Sequence, residues 1–373
     1  MSVVTIGEVV VDWISTEIGC DFTNARDFVR SLGGNASNVA IGLARLGVGV
    51  KLIGKRGDDH HGRYLDAVLS KEGVDLAEMK VDGANATAQC YVFRHEREEY
   101  SFFNWPRPNA SHLLLKEEVT EDSIKNALFL HATGISLTIA PRRHAVIKAL
   151  KLAKELGVPI SFDAGFPTGE DDEARQFAIT ALRIADIVKV NLSELEFWSQ
   201  ALDEAALSER EDSKAEKKTV GLVGVTPNKP LSATIINPLD EISGNVSEAV
   251  LEMGRRLAKH LKEPNLIVTL GASGSLLISN KGDEVFAAAL PAQAVSELGA
   301  GDAFCAGLIA ELVGDESTSV VKSPMKLNSL TTDDWRRALL FANAVGALST
   351  RTMTAWEGLP NREEVSTLIK SRG

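Results

Sequence analysis

Positions 296–314 read SELGAGDAFCAGLIAELVG. Gly299, Ala300, Gly301 and Asp302 stand at the entrance to an apolar run that begins at Ala303. Such a run predicts a buried helix. A helix N-terminus carries unpaired N–H groups and a partial positive charge. Bare glycines let that backbone approach an anion closely. A carboxylate beside it could take a proton from a hydroxyl attacking a phosphate that the amides hold. The plainer reading is a glycine turn with Asp302 as the helix cap, a task that serine or threonine performs equally well. The stretch alone leaves both readings open.

Four other stretches could share that chemistry. SLGGNASNVAIGLARLG, at 31–47, sets Gly33, Gly34, Asn35 and Asn38 at the head of a second apolar helix. Either the asparagines cap a glycine turn, or two amide side chains and open backbone face a polyhydroxylated ligand. Asp12 follows the first strand, where a carboxylate can accept hydroxyl hydrogen bonds. VNLSELEF, at 190–197, places Asn191 and Glu194 one helical turn apart at a strand end. TLGASGS, at 269–275, is a glycine turn after another strand and suits phosphate contact.

Several familiar patterns fail on inspection. The stretch from Gly49 to Arg56 has the spacing of a phosphate loop, but Arg56 stands where Ser or Thr would hold Mg²⁺. The stretch from Gly299 to Phe304 starts like a dinucleotide fingerprint, but Phe304 occupies the third glycine position. The second glycine after Gly271 comes one position early for a nucleophile elbow. His60 and His61 are adjacent, so their rings need not converge on a metal, and there is no HExxH.

These residues need a scaffold, and the pattern of apolar runs supplies one. Short β-rich runs at 3–7, 51–54, 128–132, 160–163, 187–191, 266–270 and 275–279 alternate with helical patterns at 36–46, 142–156, 247–261 and 333–349. The helix at 142–156 has a stop signal in Gly157 and Pro159. Alternating β and α over this length implies a mostly parallel sheet in three layers, with ligands at the carboxyl ends of its strands. Segments 86–94 and 99–103 alternate apolar and polar residues around a charged turn at 95–98, which predicts an antiparallel hairpin over the main sheet. The charge run at 203–218 with the Pro- and Gly-punctuated 221–242 reads as an insertion, and 314–331 reads as a surface loop.

Composition narrows the partners. The 373 residues are 44% hydrophobic, 24% charged and carry a net charge of −11, so nucleic acid is not an expected partner. Cys20, Cys90 and Cys305 form no CxxC pair, which fits a reducing compartment without structural zinc. No apolar stretch is long enough to span a bilayer, and the first residues read as a strand rather than a signal peptide. A soluble cytoplasmic protein is expected.

Taken in order, GGxxxN at 33–38, NxxE at 191–194, TxGxxG at 269–274 and GAGDAFxAG at 299–307 resemble a PfkB-type carbohydrate kinase of the ribokinase-like superfamily. The resemblance runs from Val3 to about Val365, apart from the insertion. It implies a single α/β domain over 1–373, a ribokinase-like three-layer α/β/α fold with lid strands at about 12–30 and 86–105 and an insertion at about 200–243. It implies ATP and Mg²⁺, with Asp302 as catalytic base and Gly299, Ala300 and Gly301 as the anion hole. Asp12, Gly33, Gly34, Asn35 and Asn38 match sugar-binding positions, and Arg107 and Asp163 lie where substrate contacts are expected. Asn191 and Glu194 match the motif linked to phosphate and Mg²⁺. Thr269, Gly271, Ser273 and Gly274 match the nucleotide loop, and Asn343 matches a helix lining the adenine site. Within the family the chain looks most like fructokinases and 2-keto-3-deoxygluconate kinases. It departs in having Ser296, Glu297 and Leu298 where an Asp-Thr pair is usual, Ala164 and Gly165 where Pro-Asn often follows the central Asp, and Trp105-Pro106-Arg107 near the lid. The acceptor implied is a sugar or sugar acid, with a nucleoside or a non-catalytic binding role as the alternatives. The lid suits pairing in a homodimer.

Overall fold

The structure, a computed structural model, describes residues 1–96, 99–166, 172–212, 246–262, 264–314 and 327–371. Strand β1 (Val3–Ile6) leads into β2 (Val10–Ile18) and β3 (Phe28–Gly33). Then come α1 (Asn35–Arg45), β4 (Val50–Gly57), α2 (His60–Lys71) and β5 (Met79–Asp82). The pair β6 (Gln89–Arg94) and β7 (Tyr100–Trp105) precedes a single turn, α3 (Glu121–Ile124), and β8 (Leu130–Thr133). Alternation follows through α4 (Arg142–Glu155), β9 (Ile160–Asp163), α5 (Asp172–Ile184), β10 (Ile187–Asn191), α6 (Leu192–Asp212), α7 (Glu248–His260) and β11 (Asn265–Thr269). The chain ends with β12 (Gly274–Ile278), β13 (Glu284–Ala288), α8 (Ala300–Val313), α9 (Thr332–Ser349) and α10 (Arg362–Lys370).

Nine strands form the main sheet in the order β13-β12-β11-β10-β9-β8-β1-β4-β5. All neighbours from β11 to β5 run parallel, while β12 and β13 are antiparallel. The apolar runs predict this, because β1, β8 and β9 are buried at every residue, as strands covered on both faces must be. Successive residues point to opposite apolar layers: Val3 packs with α1, α8 and α9, and Val4 packs with α4 to α7. The expected three-layer α/β/α architecture is therefore present. A second sheet, β3-β2-β6-β7, forms the lid, with its own small core of Val10, Ile14, Ala88, Cys90 and Val92. The predicted hairpin is β6 and β7. Phe22, Phe102, Phe103 and Trp105 leave apolar surface exposed on this sheet.

Local signals set several ends. Helix α4 stops before Gly157, whose φ of +70° ends the spiral as its position predicts. Helix α9 starts with a reciprocal cap between Thr331 and Asp334. Two strands were not anticipated. β5 has no fully buried residue, so it lacks an apolar run, and β13 reads as one only through its pairing with β12. The charge run assigned to an insertion opens helically, since α6 extends to Asp212. The rest of that insertion at 213–245, most of the loop at 314–331, the hairpin turn at 97–98 and the segment at 167–171 lie outside the described residues.

Candidate active site

Parallel pairing brings the carboxyl ends of β1, β8, β9, β10 and β11 into one row, and α8 points its N-terminus at them. Gly299 is the cap residue of α8 and sits at φ +78°. A Cβ there would lie 2.6 Å from the Ala355 Cβ and 2.8 Å from its carbonyl oxygen, so only glycine fits. Asp302 is the third helical residue and caps nothing: its carboxylate accepts a 2.9 Å hydrogen bond from Asn38 Nδ2 of α1. The capping reading of the sequence is thereby excluded. Among the described residues, the N–H groups of Gly299, Gly301 and Asp302 have no partner, whereas the Ala300 N–H is given to the Glu297 carbonyl. Three open N–H groups, those of Gly299, Gly301 and Asp302, therefore gather at this turn, while that of Ala300, expected among them, is taken by Glu297.

Asp302 is buried, and burial pushes its carboxyl up to about 8. Asn38 and Lys189 pull it down, while Asp163 and Glu8 push it further up. A carboxyl in that range can both accept and release a proton near neutral pH.

The second buried carboxylate is Asp12 on β2. It accepts no hydrogen bond from any described residue, and burial raises it to about 7. A Cβ on Gly33 would fall on this carboxylate, so the first glycine of the GGxxxN stretch is there to make room for it. Gly34, at φ +97°, turns the chain into α1 past the Glu8 carbonyl. Asn35 gives its backbone N–H to Glu8 Oε1, and its side-chain amide is left without a partner among the described residues. Asn38 Oδ1 is buried and unpartnered. Three groups able to bind hydroxyls, Asp12, Asn35 and Asn38, are thus gathered around the turn into α1, which Asn38 ties to Asp302.

On the other side of Asp302 lies a feature that sequence reasoning missed. Lys189 of β10 is buried and donates to both oxygens of Asp163 of β9 at 3.1 Å. Its Nζ lies 3.1 Å from where a Gly301 Cβ would be. Burial works against its charge, but Asp163 first and then Glu194 hold it firmly protonated. The available signal was a lone lysine inside the apolar run IVKV. Asp163, expected among the substrate contacts, is committed to this lysine. Glu194 binds Asn191 through the backbone N–H at 2.8 Å and the side-chain amide at 2.9 Å, and burial raises its carboxyl.

The row continues across the sheet. Thr269 pairs in register with Asn191, and Gly271 to Ser273 form one tight turn beyond it. A Cβ on Gly274 would overlap the Ala287 carbonyl, and Asn343 ties that same strand down by donating to the Ala287 and Ala288 oxygens at 2.9 and 3.3 Å. Arg107 is exposed two residues beyond the end of β7. Glu8, which joins Asn35 to Ser136 (2.6 Å), was also missed, as was Tyr100, whose hydroxyl lies 2.9 Å from Ser296 Oγ and so links the lid to the approach to α8. No group of three or more His, Cys, Asp or Glu side chains among the described residues could form a metal cage, and no described helix is long and apolar enough to cross a membrane.

The chain resembles known proteins along almost its whole length. The chain is 32% identical to fructokinase-1 of Oryza sativa subsp. japonica over 377 residues, covering 99% of this chain and 98% of the relative. Fructokinase-1 of Zea mays is also 32% identical, covering 99% and 97%. A Xylella fastidiosa fructokinase with bound ATP superposes with a TM-score of 0.74 at 23% identity, covering 100% of this chain and 98% of that one. A Vibrio cholerae O395 fructokinase bound to fructose, ADP and calcium gives 0.72 at 24% identity, covering 99% of each. The profile of the pfkB family carbohydrate kinases matches residues 1–226 and 231–362, which takes in every stretch that converges on Asp302, and the chain belongs to that family.

Proposed function

We propose that this protein is an ATP- and Mg²⁺-dependent kinase that phosphorylates a primary hydroxyl of a neutral sugar, with fructose as the preferred acceptor. The observation that carries the reading is the buried Asp302 carboxylate, held by Asn38, beside three open backbone N–H groups. The names of the rice and maize relatives support fructose. So does charge: the unpartnered Asp12 carboxylate would repel the carboxylate of a sugar acid.

In this reading the sugar gives hydroxyl hydrogen bonds to Asp12 and meets the amides of Asn35 and Asn38, within the pocket that Gly33 and Gly34 open. Asn191, Thr269, Gly271, Ser273, Gly274 and Asn343 line the nucleotide groove. The acceptor oxygen attacks the γ-phosphorus as its proton passes to Asp302. An O–P bond forms, the bond to the β–γ bridging oxygen breaks, and its electron pair leaves on ADP. The N–H groups of Gly299, Gly301 and Asp302 stabilise the charge on the transferring oxygens. Mg²⁺ keeps several waters and shares phosphate oxygens, so it needs one or two carboxylates rather than a cage. Glu194 fits that need, because each of its oxygens holds one Asn191 donor and retains a second lone pair. Bound there, Mg²⁺ would neutralise charge on the phosphates.

The test is ADP release with fructose, 2-keto-3-deoxygluconate, ribose and adenosine side by side. Fructose should give the highest kcat/KM, and Asp302→Asn should lower kcat by at least about 10²-fold with ATP affinity little changed. Adenosine as the best acceptor would move the assignment to nucleosides. ATP binding without turnover on any acceptor would sink the kinase reading in favour of a binding protein.

A further inference from the structure

Lys189 has no explanation in stability. It stands in a strand buried on both faces, where removing an ion pair in favour of apolar side chains is often neutral or stabilising. Two of its three N–H groups go to Asp163, in register on the neighbouring strand. The third has no partner among the described residues. Its Nζ lies under the first turn of α8, at the point nearest to the bare Cα of Gly301, and Gly301 and Asp302 on that turn carry the open N–H groups. Asp163 is itself steadied from α8, where Cys305 Sγ approaches its Oδ2 at 3.8 Å. A cation fixed from below, with one donor spare, beside a cluster of unpartnered amides is arranged to meet an anion.

We propose that Lys189 is a catalytic residue, giving its third N–H to an oxygen of the phosphoryl group in flight, and that Asp163 is its positioning residue. The inference rests on the kinase reading of the site. Lys189 keeps its proton throughout: the acceptor proton goes to Asp302, the new O–P bond forms, and the electron pair of the broken bond leaves on ADP. The lysine adds charge where charge accumulates, so its contribution belongs to kcat and not to ground-state binding of ADP.

The test needs a variant that folds, because Lys189→Met alone would bury Asp163 without a partner. The double variant Lys189→Met with Asp163→Leu removes both charges at once. Its thermal midpoint, ADP affinity and fructose KM should stay close to those of the parent, while kcat falls by about 10²–10³-fold, as for loss of an oxyanion donor. Lys189→Arg should recover part of that rate. Asp163→Asn should lower kcat by roughly tenfold with ADP affinity unchanged, a split that a merely structural role would not produce. A double variant that turns over within a few-fold of the parent overturns the inference while leaving the kinase reading intact. A parent that phosphorylates no acceptor overturns both together.

Discussion

Residue by residue, the site is built from groups kept away from their comfortable state. Asp12 illustrates the logic most simply, because burial is the whole cause of its shift to about 7. Its charged form lacks the hydrogen bonds that water would supply, and sugar hydroxyls are the natural replacement. Binding such donors favours the carboxylate over the acid. The sign follows directly: sugar binding strengthens as pH rises through about 7 and weakens below it. KM for the sugar should therefore fall between pH 6 and pH 8. Asp12→Asn should flatten that profile and raise KM by roughly 10–100-fold, the worth of hydrogen bonds to a charged group. Initial-rate measurements across that range decide it, and an unchanged profile in the variant would mean that another group titrates. Gly33, Gly34, Asn35, Asn38, Gly299, Gly301 and Asp302 stand out in the sequence because each is an unusual residue at the entrance to an apolar helix. Lys189 and Glu8 do not. A single charge in an apolar run carries no spacing, and its meaning comes only from the strand that happens to lie beside it.

At the level of elements, accuracy depends on how closely α8 can approach its neighbours. Gly42 on α1 faces Ala306, whose Cβ would lie 2.6 Å from a Cβ at that position. Gly307 faces Val345 and Ala342 on α9, where an added Cβ would meet heavy atoms at 2.8 to 3.0 Å. These crossings set the height of α8 above the sheet, and with it the distance from Asp302 to Asn38. Gly307→Ala should cost about 1–3 kcal/mol through overpacking and lower Tm by a few degrees. On the proposed mechanism it should also change kcat more than KM, since Asp302 moves while Asp12 and Asn35 stay in place. Calorimetry and kinetics on the same preparation test both parts. A variant with parental Tm would show that α9 yields freely. The elements themselves were largely legible. Long apolar runs such as those of β1, β8 and β9 have one solution, burial in a parallel sheet. β5 was not legible, because a half-buried edge strand held by pairing with β4 leaves no pattern in its own residues. The closeness of the helix crossings was also hidden: GAGDAFCAGL announces small residues without saying which neighbour needs the room.

Considered as a whole, the molecule sets a four-stranded lid against a nine-stranded sheet. The lid carries Asp12 and the main sheet carries Lys189, Asp163 and the strand ends; in the proposed reaction, closure would complete the site and exclude water that would otherwise take the phosphoryl group. The departure at Ser296 and Leu298 falls at this junction. Ser296 Oγ meets the Tyr100 hydroxyl of β7 at 2.9 Å and accepts from Leu298 N at 3.2 Å, and Leu298 packs against the lid core beside Met353. The segment leading into α8 is thus fastened to the lid through a hydroxyl pair and an apolar plug. Tyr100→Phe keeps the ring and removes the hydroxyl. A neutral hydrogen bond is worth about 1 kcal/mol, so closure should weaken by several-fold. The expected signature is a rise in sugar KM of about 3–10-fold at nearly constant kcat. Sugar-independent ATP hydrolysis should rise relative to transfer. If hydrolysis and KM both hold at parental values, the hydroxyl pair plays no part in closure, and the lid must be held through Leu298 and the apolar contacts alone.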